Sequence, residues 1–309
     1  MKRFFLILLI VFYTNFNFGQ SIISGKIHNC KKKEISINYD LYNLVSNSNK
    51  LIKLNPDNDG NFIVKINDIR YLSTVNWIKV GHKFIYFCIE PNDSLFIEFD
   101  FKNINDVSFR GVKSTHSVFI NDYYHRIMSR QNASSSLRDT FTHYYTLDSL
   151  FLAHYKRENL LDSSFVIFYN QVLRYEFFNS LTTLSIDNSK YYKLVARDFN
   201  LNNEDLKYYL MYYSAIQGYM INMIDFKFNP LKFEDLKWSF EFTDKTLASP
   251  FNDIYKAYLI GYFYMAPYRS KIKKSREMRD FINSFIFQCK DKIVKEELLQ
   301  MLKDRNIEI

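Results

Sequence analysis

The chain has 309 residues and a formal net charge of +8, and its composition excludes a disordered or fibrous protein. Hydrophobic residues make up 47% of it against only 7 glycines and 5 prolines, which is enough apolar material for one large or two ordinary folded domains. The densest basic run, Arg269–Arg279, could hold anionic lipid or nucleic acid, but it is more typical of a solvated helix face.

The first twenty residues have the three-part layout of a secretory signal peptide. The Lys2–Arg3 pair gives a positive start, Phe4–Tyr13 is an unbroken apolar stretch, and a short polar exit follows. This apolar stretch is shorter than the roughly 20 residues needed to span hydrocarbon. We therefore expect cleavage near Gly19 or Gln20 and export to the periplasm or cell envelope. We expect no transmembrane segment after cleavage. Because an exported protein leaves the cytoplasm, we also expect no nucleic-acid partner.

Residues 21–113 alternate between apolar and polar side chains, which predicts strands with one buried face. The alternation is clearest in Phe62–Ile66 and Leu95–Phe101. Turn-forming residues separate the runs, as in Pro56–Gly60 and Pro91–Ser94. Short strands linked by hairpins predict an antiparallel β-sandwich of about seven or eight strands.

From residue 114 the apolar residues recur every three or four positions, which is the period of an amphipathic helix. The pattern continues to the C-terminus, so we assign residues 114–309 to an all-helical domain. After a first helix that contains Phe119 and Tyr123, further helices are predicted over 138–159, 163–183, 203–225, 232–241, 250–266, 272–287 and 291–304. The predicted fold class is α+β, with an N-terminal antiparallel β-sandwich followed by an all-helical domain.

Four short motifs of the β region resemble, in their order, the N-terminal β domain of exported, TlpA-like thiol-disulfide interchange proteins. They are Ile23–Ile27, Asp59–Phe62, Ile89–Leu95 and Phe109–Gly111. Pro91–Ser94 resembles the strand-turn PGDS element of that family, with Asn92 in place of glycine. The helical region is similar to the middle region of the family, notably at Phe165–Thr183 and Leu201–Tyr219, so the resemblance covers essentially the whole mature chain.

In that family a thioredoxin domain with a Trp-Cys-x-x-Cys motif follows the helical region and carries out the redox chemistry. Here the chain ends at Ile309, about where that domain would begin, so no residue inherits the catalytic cysteine role. Thiol exchange needs a low-pKa thiolate beside a resolving partner, whereas Cys30, Cys88 and Cys289 are far apart in sequence. An oxidising compartment would permit a Cys30–Cys88 disulfide, and buried free thiols are the alternative.

Other catalytic and cofactor-binding patterns do not occur in the sequence. His143 and His154 would lie roughly 16 Å apart along one helix, too far to share a metal ion. The glycines are too widely spaced for a phosphate-binding loop, and no Gly-x-Ser-x-Gly motif is present. Residues 55–60 match only the first half of a calcium-binding loop, because Ile66 stands where a glutamate is required. We therefore predict no enzyme activity, cofactor or metal.

Two groups of side chains remain as candidate sites. Glu98 and Asp100 should lie about 6.6 Å apart on one face of a strand, which suits a glycosidase pair, although a solvated sheet surface is the simpler interpretation. The second group consists of tyrosines in two helical stripes, whose broad rings and polar tips suit peptide or sugar contacts, with helix packing as the alternative. These tyrosines are Tyr209, Tyr212, Tyr255, Tyr258 and Tyr262.

The leading functional hypothesis is a non-catalytic module of the cell envelope that binds another envelope protein or a peptide. It rests on the resemblance of the chain to the accessory domains of TlpA-like proteins, without the thioredoxin domain that is the enzyme of that family. The second hypothesis is an accessory subunit of a thiol-disulfide oxidoreductase, which docks a separate thioredoxin-like protein. A third is a truncated relic without a selected function.

Overall fold

The chain divides into two compact units. The first, called the β unit below, comprises Met1–Leu41 and Lys50–Ser129, and the second, the helical unit, comprises Tyr42–Asn49 and Arg130–Ile309. In the computed structural model, the described residues are 20–30, 34–43, 48–67, 69, 72–104, 106–130, 137–184, 202, 203, 206, 209, 212, 215, 244–249, 251, 256, 276–290, 292, 295, 296, 299, 300 and 303. Residues 1–19, which hold most of the predicted signal peptide, lie outside them.

Within these residues, eight strands form two four-stranded sheets, in agreement with the predicted seven or eight. Sheet A has the strand order β4-β1-β7-β8, and sheet B has the order β3-β2-β5-β6. The strands are β1 Ser21–His28, β2 Ile35–Asn43, β3 Ser48–Leu54, β4 Asn61–Ile66, β5 Ser73–Val80, β6 Lys83–Ile89, β7 Ser94–Asp100 and β8 Val107–Arg110.

Side-chain burial alternates along the strands with the predicted period of two, most regularly in β1, β4 and β7. The inward side chains of both sheets form one hydrophobic core, in which Ile23 and Ile97 of sheet A and Ile37, Ile78 and Phe87 of sheet B are fully buried. Burying one such side chain contributes about 1.5–3 kcal/mol to folding. The periodic apolar residues of the sequence therefore hold the two sheets together.

One strand pairing departs from the predicted hairpin order. β1 lies between β4 and β7, antiparallel to β4 but parallel to β7, with Ile22 opposite Ser94 and His28 opposite Asp100. Parallel neighbours cannot be joined by a tight turn, so this pairing connects segments far apart in the sequence. The sheets are therefore mostly, and not wholly, antiparallel.

Four longer helices are described: α1 Ser114–Met128, α2 Leu137–Arg157, α3 Ser163–Leu184 and α4 Arg276–Gln288. The last three agree with the predicted helices at 138–159, 163–183 and 272–287. The predicted helices at 203–225, 232–241, 250–266 and 291–304 fall wholly or partly outside the described residues. The fold class is thus α+β, with two mostly antiparallel sheets and helices.

Helix α1 belongs to the β unit, which extends to Ser129. The change of period near residue 113 therefore marks a change of secondary structure, and the compact unit continues for one helix beyond it. Among the described residues, no helix combines the length and apolarity that a membrane crossing requires.

Candidate functional site

The outer surface of sheet A, called the A face below, is formed by the side chains that alternate away from the core. The parallel register of β1 and β7 places Lys26 opposite Glu98, and the antiparallel register of β7 and β8 places Phe96 opposite Arg110. This arrangement collects charged groups from three strands beside one aromatic ring.

Glu98 is the centre of the A face, because each of its carboxylate oxygens has a partner. His28 Nε2 lies 2.8 Å from Oε1, and Arg110 Nη2 donates to Oε2 at 2.8 Å. The Arg110 guanidinium also lies 4.2 Å from the centroid of the Phe96 ring, in cation–π geometry. The hydrogen bond from His28, with the positive charges of Arg110 and Lys26, lowers the pKa of Glu98 below its usual value.

Asp100 is held in a similar way at the end of β7. Its Oδ2 accepts a hydrogen bond from Asn29 Nδ2 at 2.7 Å, and its Oδ1 accepts the Lys102 backbone N–H at 2.7 Å. The latter bond is the main reason that the pKa of Asp100 is also lowered. A glycosidase acid needs a raised pKa, so this lowering in both Glu98 and Asp100 favours the solvated-surface interpretation.

A cleft of about 600 Å³ adjoins this face, between the end of β1 and the turn that precedes β4. It is lined by residues 26–30 and 57–60. In the turn, Asp57 Oδ1 accepts the backbone N–H groups of Asp59 and Asn61 at 2.9 and 2.8 Å. Residues 55–60, the partial match to a calcium loop, thus form a tight turn whose carboxylate is occupied by its own backbone.

Gly60 is required in this turn for two reasons. Its φ of +85° lies in the left-handed region, and a Cβ atom there would lie 2.2 Å from the Ile27 carbonyl oxygen. The Ile27 N–H in turn donates to the Gly60 carbonyl oxygen at 2.9 Å. The cleft therefore has a wall of fixed backbone.

Cys30, Cys88 and Cys289 are not joined in disulfides, so the Cys30–Cys88 disulfide that the sequence permitted is not formed. Cys30 is half-buried and lines the cleft, whereas Cys88 and Cys289 are buried. Cys30 follows β1 of sheet A and Cys88 lies on β6 of sheet B. Among the described residues, no three His, Cys, Asp or Glu side chains are grouped so that they could hold a metal ion.

The tyrosine candidates divide into two that are described and three that are not. Tyr209 and Tyr212 are 6% and 0% exposed, so they are interior residues of the helical unit and cannot offer their rings to a partner. Tyr209 Oη donates to Glu176 Oε1 at 2.8 Å, and Tyr212 Oη accepts the Asn203 N–H at 2.6 Å. Packing is the interpretation that fits these two. Tyr255, Tyr258 and Tyr262 lie outside the described residues.

Helix α1 is attached to β6 by polar side chains that no sequence pattern indicated. Ser117 Oγ accepts the Cys88 N–H at 3.1 Å and donates to the Cys88 carbonyl oxygen at 3.0 Å. Four residues on, Asn121 Oδ1 accepts the Tyr86 N–H at 3.1 Å. These side chains take the place of a neighbouring strand along β6, which is an edge of sheet B.

A partly buried cluster of charges lies where β6 meets α1. Glu90 pairs with Lys113 through Oε2, and its Oε1 lies 3.5 Å from Nδ1 of the buried His116. Burial of Glu90 raises its pKa, but the hydrogen bonds and charges of His116 and Lys113 outweigh burial, so the net pKa is lowered. The pKa of nearby Asp93 is raised, chiefly by burial.

The Glu90 cluster predicts a pH-dependent contribution to stability. Because the folded-state pKa of Glu90 lies below its usual 4.5, ionised Glu90 stabilises the fold above that pH, and the stabilisation is lost as the pH falls through the folded-state pKa. We expect Glu90→Gln to lower the Tm at neutral pH, and this difference from the wild-type chain to disappear as the pH falls below the lowered folded-state pKa of Glu90. Thermal unfolding followed by circular dichroism across this range measures the difference.

Asp93→Asn is the matched control for this measurement. Its raised pKa means that ionised Asp93 destabilises the fold, so the substitution should raise the Tm at neutral pH and have no effect in acid. A Tm deficit of Glu90→Gln that stays constant with pH would contradict the assigned role of Glu90.

No family model matches the chain, and no curated protein matches it.

Proposed function

We propose that the mature chain is a non-catalytic binding module of the cell envelope, whose A face recognises another envelope protein or a peptide. In this proposal a cleaved signal peptide precedes a β-sandwich domain and a helical domain. The shared core of the two sheets supports the sandwich, and the order of the β motifs supports a relationship to the accessory domains of TlpA-like proteins.

The observation that carries the proposal is the preorganised state of the A face. Arg110 is fixed by the Glu98 carboxylate and the Phe96 ring, although 63% of its side chain is exposed. An arginine that is already ordered loses little side-chain entropy on binding, and arginine is enriched among the residues that dominate interfaces. The adjoining cleft offers space for one inserted side chain of the partner.

Charge reversal at Arg110 tests the proposal. With the tagged mature protein as bait for an envelope fraction, we expect Arg110→Glu to reduce retention of the bound partner at least tenfold, since it places a second carboxylate beside Glu98. Lys53→Glu is the matched control, because the Lys53 side chain is 60% exposed and also pairs with a glutamate, Glu34, but lies on sheet B. If both variants retain the partner equally, the A face is not the binding surface.

The non-catalytic part of the proposal has its own test. We expect the purified mature protein to give no turnover in an insulin-disulfide reduction assay with dithiothreitol. Sustained turnover would overturn this part, whatever the result of the binding experiment.

The second candidate function, docking of a separate thioredoxin-like protein, is favoured by the position of Cys30. This free thiol lines the cleft beside the A face, where a docked protein would reach it. To test this, Cys30 is first converted to a mixed disulfide with an aromatic thiol. The lone thiolate of a thioredoxin-like protein with one remaining active-site cysteine then attacks Cys30 Sγ, and the aromatic thiolate leaves and is counted by absorbance.

Docking predicts that this transfer is at least tenfold faster with the thioredoxin-like protein than with glutathione at matched thiolate concentration. The advantage should be lost in Arg110→Glu, and the product should be absent in Cys30→Ser. Equal rates for protein and glutathione would show reactivity without docking, and this candidate would fail.

A further inference from the structure

The outer edges of the two sheets are protected to different degrees. An exposed edge strand is a template for pairing with another strand, and proteins cover it, shorten it or charge it. Helix α1 covers β6 through Ser117 and Asn121, while β8 has only four residues. β4 has six residues in regular alternation without proline, and Lys65 is its one charged side chain.

The hydrogen bonds of β1 show which groups of β4 point to the open side. Ile27 N–H donates to Gly60 O on the β4 side, whereas Ile22 N–H donates to Asp93 O on the β7 side. Odd-numbered residues of β1 therefore bond towards β4. Since Ile23 is opposite Val64 and Gly25 is opposite Phe62, the β4 residues that bond to β1 are the even-numbered ones.

The intervening residues of β4, namely Asn61, Ile63 and Lys65, consequently direct their N–H and C=O groups away from β1. Asn61 is already engaged, because its N–H donates to Asp57 Oδ1 at 2.8 Å and its carbonyl oxygen accepts the Asp57 N–H at 2.9 Å. Within the described part of the chain, the outward backbone groups of Ile63 and Lys65 have no such partner. The Ile63 side chain beside them is 62% exposed.

We propose that β4 pairs with β4 of a second copy of this chain, antiparallel about a two-fold axis at Val64, so that the two sheets A join into one sheet. Ile63 then lies opposite Lys65 of the second copy, and Lys65 lies opposite its Ile63. The pairing forms about four backbone hydrogen bonds, all of them through the outward N–H and C=O groups of Ile63 and Lys65. The interface is isologous and closed, as in most homodimers.

The residues of β4 exclude the neighbouring registers. An axis at Ile63 would need the backbone groups of Asn61, which Asp57 already occupies. An axis at Lys65 would place the two lysines directly opposite each other, where like charges destabilise the pair. With the axis at Val64, the aliphatic stem of each lysine covers the exposed isoleucine of the other copy and keeps its ammonium group in water. The contact between Lys65 and Ile63 thus forms twice in a dimer of this chain. This repetition favours a second copy over an unrelated peptide as the occupant of β4.

The proposal does not depend on the A-face partner, and its test is separate. The interface is at the small end of specific interfaces, so we expect a reversible dimer at concentrations of roughly 100 µM and above. Sedimentation equilibrium of the mature protein should show this dimer. Ile63→Lys should abolish it, because four ammonium groups would then line the joined strands.

Ile167→Lys is the control for Ile63→Lys. Ile167 lies on α3 and its side chain is also 62% exposed, so the substitution changes surface charge and hydrophobicity equally without touching an edge strand. This variant should dimerise as the wild-type chain does. Circular dichroism spectra that match the wild-type spectrum establish that both variants are folded.

Cysteine pairing tests the register. In a Cys30→Ser background, the double variant Ile63→Cys/Lys65→Cys should form covalent dimers on mild oxidation, because paired residues lie about 5.5 Å apart between Cα atoms. Each single variant should remain largely monomeric, since its cysteine does not face its own copy. A monomeric wild-type chain at all concentrations, a dimeric Ile63→Lys variant, or efficient crosslinking of a single variant would each overturn the proposal. Binding of an unrelated peptide along β4 by a monomeric chain would overturn it as well.

Discussion

Replacing Gly25 with alanine is expected to lower the free energy of unfolding of the β unit by about 3 kcal/mol or more. A Cβ atom at this position would lie 2.1 Å from the Ile97 carbonyl oxygen and 2.6 Å from the Phe62 ring. The ring could rotate, but the carbonyl belongs to the backbone of β7. Because β1 is bonded to strands on both sides, relief of the clash requires the centre of sheet A to open.

Urea unfolding, followed by circular dichroism and by tryptophan fluorescence, to which Trp77 of β5 contributes, measures this effect. Ser24→Ala is the control, since Ser24 is the neighbouring residue on the same strand and its half-buried side chain points to the other face. It should change the free energy of unfolding by less than about 0.5 kcal/mol. A Gly25→Ala variant as stable as Ser24→Ala would contradict the prediction, because it would show that sheet A can accommodate the extra methyl group without loss of stability.

The second large effect is expected when the polar side chains of α1 are removed from the edge of β6. Ser117→Ala leaves the buried N–H and C=O of Cys88 without the hydroxyl that serves them, and Asn121→Ala leaves the buried N–H of Tyr86 unsatisfied. Loss of these hydrogen bonds costs about 1–3 kcal/mol for each buried group, so the double variant should lose about 3–5 kcal/mol of stability. It should also aggregate on heating, because β6 becomes an open template for other strands.

Unfolding curves and light scattering of the same samples separate the two consequences. Thr115→Ala is the control on the same helix, because Thr115 is exposed and has no contact with β6 in the described hydrogen bonds. This variant should unfold and scatter as the wild-type chain does. Normal stability with increased scattering would limit the role of Ser117 and Asn121 to edge protection.

Local patterns in the sequence were sufficient to predict the strands and helices, because strand alternation and helical period are set by residues close together in the chain. The alternation in Phe62–Ile66 and the helical period at Phe119 and Tyr123 both predicted the burial observed there, although Met128 at the end of the same helix is exposed. Strand pairing was not predictable in the same way. Local patterns do not show which strands lie beside β1. Its hydrogen bonds to β7 join residues as distant in sequence as Ile22 and Ser94.

The same limit applies to the A face. The spacing of Glu98 and Asp100 was visible in the sequence, but one partner of Glu98 is His28, 70 residues away. Only the parallel register brings them together. The tyrosines illustrate a different limit: Tyr209 has both an apolar ring and a polar tip, so periodicity indicated a shared face without indicating whether that face is inside. The carboxylate that accepts the hydrogen bond of the Tyr209 hydroxyl belongs to Glu176, 33 residues earlier on α3.

The position of β1 has a consequence for how the chain reaches its native state. β1 is synthesised before the other strands that the structure describes, yet the N–H and C=O groups on one of its sides have no partner until β7, which ends at Asp100, is made. Until then only the β4 side can be satisfied, and the central strand of the sheet remains an edge. Closing so long a loop is slow compared with forming a hairpin. Sheet A therefore closes around β1 late, when β7 is inserted beside it.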